Sequence, residues 1–282
     1  MSEKRVTVGT DGSRWGETAL HWAARHAWNR GDELLVLRGA HGGSTRPITR
    51  DFPLLPVRIR TTVGNPLAAF AESSWESELL VLGCRGERHR HPGLGDLVVP
   101  AVLTAHCDIV IVRGSDDAVD GRHRRVTAMV GGSPDDPLVV AHAVDKALAL
   151  RAQLMVLHAV PDPLTHHPVS RQHDTDEILV AAEKVVAGLA RYPATFIEPV
   201  RAHPHEVVAS RTDTDLLVVG RGRSGAVMRS ALHLAPCPVM VVHDPTPPVR
   251  TAPSGHRATW TPCLPWPRDN RSPLTPATTG GI

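Results

Sequence analysis

Tyrosine and phenylalanine are nearly missing from this chain, with one Tyr and three Phe in 282 residues. Its cores must therefore be built from Val, Leu and Ala, and a hydrophobic content of 41% supplies enough of them. An excess of charge of one sign is also lacking. A formal net charge of +2 gives no global case for nucleic acid or an anionic membrane as partner. No apolar run is long enough to span a bilayer. Met1-Ser2-Glu3-Lys4-Arg5 leads into a strand with no apolar signal region, so the cytoplasm is the expected location. The four cysteines, Cys84, Cys107, Cys237 and Cys263, form no CxxC pair. Small buried thiols in a reducing compartment are expected rather than a disulfide framework. No GxxxxGK[ST] loop or GxSxG elbow is present. The seventeen histidines include His166, His167 and His173 in one group and His203 and His205 in another. Neither group has a recognised metal-ligand spacing, and no metal is expected.

What is present is a sentence written twice. Val6-Thr7-Val8-Gly9-Thr10-Asp11-Gly12-Ser13 is answered by Val126-Thr127-Ala128-Met129-Val130-Gly131-Gly132-Ser133. Leu79–Gly83 is answered by Leu216–Gly220, and Cys107–Val112 by Cys237–Val242. The length and the repeat predict a first domain over 1–115 and a second over 116–244, both near the usual domain size. A tail over 245–282 holds Trp260 and Trp266 but is broken by prolines, and it is expected to be disordered.

Each copy alternates short Val/Leu/Ile strands with helical patterns, which predicts an α/β fold with parallel strands buried on both faces. Right-handed crossovers then make each copy doubly wound. The copies differ in register. Copy two gains eighteen residues between its second and third strands, read as a helix over 175–191 that Asp174 caps and Glu177 boxes. Copy one has only the Gly/Pro-broken stretch 39–56 there, so that edge of its sheet is expected to be poorly covered or covered by something else. Copy two also loses seven residues after its fourth strand. The terminal strands 109–112 and 239–242 are strongly apolar. They are expected to meet within the chain and so avoid exposed edges.

In a doubly wound sheet, ligands collect beyond the carboxyl ends of the strands. Two loops converge there in copy one: Thr10-Asp11-Gly12-Ser13, and the segment from Gly83-Cys84-Arg85-Gly86 to Gly95-Asp96-Leu97. Glycines admit a ligand close to the backbone, and a helix start offers N–H groups to phosphate. Asp11 can accept from ribose hydroxyls or an adenine amino group. An ordinary turn and helix cap would use the same Asp-Gly-Ser.

With Val8–Ser13, Gly64-Asn65-Pro66, Leu82–Gly86 and Leu234–Val239 in this order, the chain resembles the universal stress protein family in its tandem form, over nearly all of residues 3–243. The resemblance implies two doubly wound, five-stranded parallel sheets of order 3-2-1-4-5. It also implies an adenine nucleotide alpha-hydrolase-like fold and an intramolecular pseudo-dimer joined through the last strands. Many members bind ATP through an aspartate after the first strand and a loop of form G-x2-G-x9-G-[ST]. Their roles are regulatory, in stress response and dormancy, and not strongly catalytic.

Carried onto this chain, the resemblance marks Thr10, Asp11, Gly39, Leu82, Gly83, Arg85, Gly86, Gly95, Asp96 and Leu97 as nucleotide-binding candidates. Gly39 takes the position that flanks adenine. Asp96 takes the hydroxyl position and sets a carboxylate where phosphate belongs, which Arg85, Arg88 and Arg90 with His89 and His91 would offset. Copy two has Gly131 in place of the aspartate and a shortened loop, Gly220-Arg221-Gly222-Arg223-Ser224-Gly225, so no ordinary ATP site is expected there. A smaller anion on that basic loop stays open.

The expected function is regulatory, with ATP or a related adenine nucleotide held in copy one. The alternative is a degenerate scaffold that works through protein partners or a homo-dimer. An enzyme is not expected: Gly131–Asp136 is only weakly similar to the SGGxDS loop of ATP pyrophosphatases, and Ser133-Pro134 reads as a cap with a first-turn proline.

Overall fold

The computed structural model of the chain describes residues 4–39, 46–86, 93–161, 168–222 and 225–244. Strands β1 (Arg5–Thr10), β2 (Glu33–Arg38), β3 (Val57–Thr61), β4 (Leu79–Gly83) and β5 (Asp108–Val112) form one half of a sheet. Strands β6 (Arg125–Val130), β7 (Gln153–Ala159), β8 (Thr195–Val200), β9 (Leu216–Gly220) and β10 (Val239–Val242) form the other half. The spatial order is β3-β2-β1-β4-β5-β10-β9-β6-β7-β8, so each half runs 3-2-1-4-5. Within each half the pairs are parallel. Across the seam β5 and β10 are antiparallel, with Ile111 opposite Val239 and Ile109 opposite Val241. The terminal strands thus pair by hydrogen bonds into one continuous ten-stranded sheet.

The helices are α1 (Arg14–Arg30), α2 (Arg46–Asp51), α3 (Pro66–Ser74), α4 (Val98–Thr104), α5 (Asp116–Asp120), α6 (Asp136–Leu150), α7 (Pro168–Ala187), α8 (Pro204–Ala209) and α9 (Ala226–Leu234). Strand alternation sends Val6, Val8, Val81, Val110, Val218 and Met240 to one face, packed with Ala19–Ala27 of α1, Ile48 of α2, Val139–Ala147 of α6 and Ala182 of α7. Leu80, Leu82, Ile109, Ile111, Val219 and Val241 go to the other face, against α3, α4, α8 and α9. Both cores cross the seam, so the two copies share them.

Three sequence expectations are corrected. The stretch 39–56 is not bare: α2 lies in it, and buried Ile48 and Leu55 cover the sheet beside β2. A proline at the second residue of a helix removes an N–H that would have had no partner, so Pro47 opens α2 rather than breaking it. α7 starts at Pro168, which places Asp174 and Glu177 inside the helix and not at its cap. α6 starts at Asp136 with Asp135 at its N-cap, two residues beyond the expected Ser133 cap, and the Ser133 hydroxyl donates to Asp135 at 2.8 Å instead.

No helix among the described residues is long and apolar enough to cross a membrane. Arg88, His89, Arg90, His91, His166, His167, Arg223, Ser224 and the segment 245–282 with Cys263, Trp260 and Trp266 lie outside the described residues.

Candidate functional site

β1 ends at Thr10, whose carbonyl accepts from the Gly39 N–H at 3.1 Å and ties the end of β1 to that of β2. The Thr10 hydroxyl accepts from the Gly12 N–H at 3.2 Å. Asp11 Oδ1 accepts from the Ser13 N–H at 3.1 Å, and Ser13 Oγ caps α1 by accepting from the Gly16 N–H at 3.1 Å. This is the turn-and-cap chemistry of an Asp-Gly-Ser loop, and it also fixes the Asp11 carboxylate in space. A Cβ on Gly16 would stand 2.8 Å from Asp11 Oδ1, and one on Gly86 would stand 2.5 Å from Asp11 Oδ2. The carboxylate therefore bridges the start of α1 and the loop after β4.

Glycine is required at two points of that loop by close approach. A Cβ on Gly83 would lie 2.5 Å from the Trp15 carbonyl oxygen, which is backbone and cannot yield. At Gly86 a side chain would displace Asp11. Gly95 folds back on the loop, its N–H donating to the Cys84 carbonyl at 2.8 Å.

An open cavity of about 390 Å³ lies beside this carboxylate, lined by Gly12, Ser13, Arg14, Trp15, Arg85 and Gly86. The Arg14 and Arg85 guanidinium carbons stand 5.7 and 5.8 Å from the Trp15 ring centroid. Both are within cation–π reach, so one indole holds two cations at the cavity. The residues there offer two guanidinium donors and an aromatic face, with the Asp11 carboxylate next to them in the chain; the Gly12 and Ser13 N–H groups already donate to Thr10 and Asp11. That set suits a ligand carrying both hydroxyls and anionic groups. Behind Asp11, burial pushes the Glu17 carboxyl above its usual range, and the Asp11 charge adds to the shift.

The ten candidate residues divide. Asp11, Gly83, Arg85, Gly86 and Gly95 come together around the two loops. Of these, only Arg85 and Gly86 line the cavity. Thr10 and Leu82 are buried supports, at 5% and 4% exposure. Gly39 faces open space, with nothing within 4 Å of a built Cβ. Asp96 is exposed. Leu97 is the N-cap residue of α4 and makes no side-chain cap bond. Trp15 and Arg14 were not read from the sequence as site residues. Their signal was the rarity of aromatics (4%) set against an indole two residues past a helix-capping serine.

Cys84 is buried, and burial pushes its thiol up despite Arg113 and Arg85 nearby, which is the wrong direction for a reactive thiolate. Cys107 and Cys237 are buried too, each pushed up to about 12.

The equivalent end of copy two is built differently. Asp136 Oδ2 accepts from the N–H groups of Gly131, Gly132 and Ser133 at 3.0, 2.7 and 3.2 Å. Asp135 Oδ2 accepts from the Gly222 N–H at 2.8 Å. Arg221 turns away and donates to the Ala105 carbonyl of the first copy at 2.9 Å. His203 and His205 stack at 5.5 Å between ring centroids, and no metal-holding cluster exists among the described residues.

Residues 122–243 match the model of the universal stress protein family. A universal stress protein of Mycobacterium tuberculosis is 29% identical over 290 residues, covering 85% of this chain and 97% of that protein. One from Mycolicibacterium smegmatis is 25% identical over 301 residues, covering 86% and 97%. Among solved structures, a universal stress protein from Archaeoglobus fulgidus aligns with a TM-score of 0.59 at 15% identity, covering 86% of this chain and 99% of that one. A putative universal stress protein from Pseudomonas aeruginosa aligns with a TM-score of 0.57 at 15% identity, covering 86% and 93%. At such identities the structural likeness is one of fold.

Proposed function

We propose that the chain, whose residues 122–243 match the universal stress protein family, is a regulatory protein of the stress response that binds an adenine nucleotide, ATP foremost, in its first copy. In this reading residues 1–115 form the binding domain, 116–244 its partner domain, and 245–282 a tail. One observation carries it: the Asp11 carboxylate is fixed between α1 and Gly86, and its chain neighbour Gly12 and Gly86 line a cavity together with Arg14, Trp15 and Arg85. Asp11 accepts from the ribose hydroxyls. The two guanidinium groups meet the phosphates, and such charge-assisted bonds are the strong kind. The groups that line the cavity bind and orient, so the reading assigns no catalytic residue.

The second reading is a scaffold that has lost its ligand and works through protein partners or as a homo-dimer. Exposed Asp96 and open Gly39 favour it, because one repels phosphate and the other offers adenine nothing to pack on.

Calorimetric titration of ATP into the full chain separates the two. The nucleotide reading expects about one equivalent bound by the wild type and none by Asp11→Ala, with circular dichroism unchanged. No heat with the wild type at millimolar ATP would leave the scaffold reading standing.

A further inference from the structure

The second copy ends its strands in the same kind of loops as the first, but where Asp11 takes one loop amide in copy one, that of Ser13, carboxylates take four in copy two. The acidic residue has moved along the chain. Copy one places a carboxylate directly after its first strand, at Asp11. Copy two has Gly131 there and places carboxylates at Asp135 and Asp136, at the start of α6. From that position they reach back over their own loops. Three consecutive backbone N–H groups converge on Asp136 Oδ2, an arrangement that successive amides make for an anion. The N–H of Gly222, in the second copy's own glycine loop, is taken by Asp135. A Cβ on Gly220 would lie 2.8 Å from Asp135 Oδ2, so the carboxylate lies close against that loop. Arg221, a cation of that loop, donates through one guanidinium nitrogen to the Ala105 carbonyl across the seam.

We infer that Asp135 and Asp136 permanently close the ligand end of the second copy, standing in for a ligand's anionic groups and holding the loops in a filled state. The chain then has one ligand site, and its second copy is a fixed partner, not a second sensor. This removes the smaller anion that the shortened basic loop left open. Any anion entering there would meet two carboxylates and no free donor among these four amides. The inference concerns copy two and stands apart from the nucleotide reading of copy one.

Amide hydrogen exchange on the full chain, with and without saturating ATP, tests both separately. The amides of 131–133 and 222 are expected to be protected without nucleotide and unchanged by it. In Asp136→Asn, which keeps the shape but loses the charge, exchange at 131–133 should rise about tenfold, the scale of one charge-assisted bond. Fast exchange of these amides in the free wild type, or added protection there with ATP, would overturn the closure. The nucleotide reading has its own readout in the amides of 12, 13, 85 and 86, which gain protection with ATP only if copy one binds it.

Discussion

At the scale of single residues, the site divides by how a side chain is aimed. The placement of Asp11 and Gly83 could be read from the sequence because each sits at a strand end, where the sheet fixes its place; Gly86 lies three residues into the loop that follows. Trp15 could not. Its role follows from the direction of the second helical residue and from the backbone contact that its carbonyl makes with Gly83. Gly39 has no side chain to aim, and its position shows only open space. On the nucleotide reading, Arg85 is the residue on which phosphate affinity should turn, since it lines the cavity and rests on Trp15. Losing one charge-assisted contact costs about 1.5–3 kcal/mol. Arg85→Ala is therefore expected to weaken ATP binding about 10- to 100-fold while leaving adenosine binding within about twofold. Competition titrations of ATP and adenosine check this. Equal losses for both ligands would take Arg85 away from the phosphates.

At the scale of elements, the joints between copies are polar and titratable. Asp108, at the start of β5, is buried, and it accepts from the His243 N–H at 2.9 Å and pairs with His142 of α6 at 2.7 Å. His142 is raised above its ordinary value chiefly by the hydrogen bond to Asp108; Asp145 adds to the shift, while burial and Lys146 oppose it. A raised histidine gives stability that is fully present below 6.5 and lost as pH climbs through the folded value. His26 of α1 behaves oppositely. Burial, with Lys146, Arg30 and Arg25 nearby, holds it well below its ordinary value. Its contribution is present above 6.5 and lost as pH falls. Wild-type stability mixes the two, so the informative quantity is the gap between wild type and Asp108→Asn. That gap is expected to be widest near pH 5.5 and to narrow as pH rises past the raised His142 value. Calorimetric melting across pH 5–9 reads it, and a gap that stays flat with pH would mean the pair carries no charge. None of this was legible beforehand, because pairing between residues so distant in sequence depends on which strands meet at the seam. α2 was missed for a different reason: six residues with a proline carry too little periodicity to read as a helix.

At the scale of the whole molecule, the doubly wound α/β class followed from parallel-strand patterning and right-handed crossovers, the strand order 3-2-1-4-5 came from the resemblance to the universal stress protein family, and the likeness between copies followed from the repeat. Joining through the last strands was what the resemblance implied, and the structure bears it out; the apolar pattern alone did not say how they meet. Four apolar residues read alike whether they pack face to face or pair edge to edge, and it is the edge pairing of β5 with β10 that makes one sheet of ten strands. Because that pairing is antiparallel, the strand ends that carry the two sets of loops point in opposite directions, so each copy's loops lie beside the other copy's strand starts. This explains why Arg221 finds Ala105 and why Arg113, beyond β5, finds the Leu232 and His233 carbonyls at the end of α9. The seam is also the central part of both cores, with Ile109, Val110, Ile111, Val239, Met240 and Val241 all at 0–1% exposure. Burying one such side chain contributes about 1.5–3 kcal/mol, and forcing a carboxylate into its place adds several more. Against a total of about 5–15 kcal/mol, Ile111→Asp should undo the domain, giving an expanded or aggregated chain by size-exclusion chromatography with light scattering. Ile111→Val removes one methylene and should cost only about 0.5–1.5 kcal/mol, leaving size as in the wild type. A compact, monomeric Ile111→Asp protein that still melts cooperatively would mean that the two halves do not depend on the shared sheet.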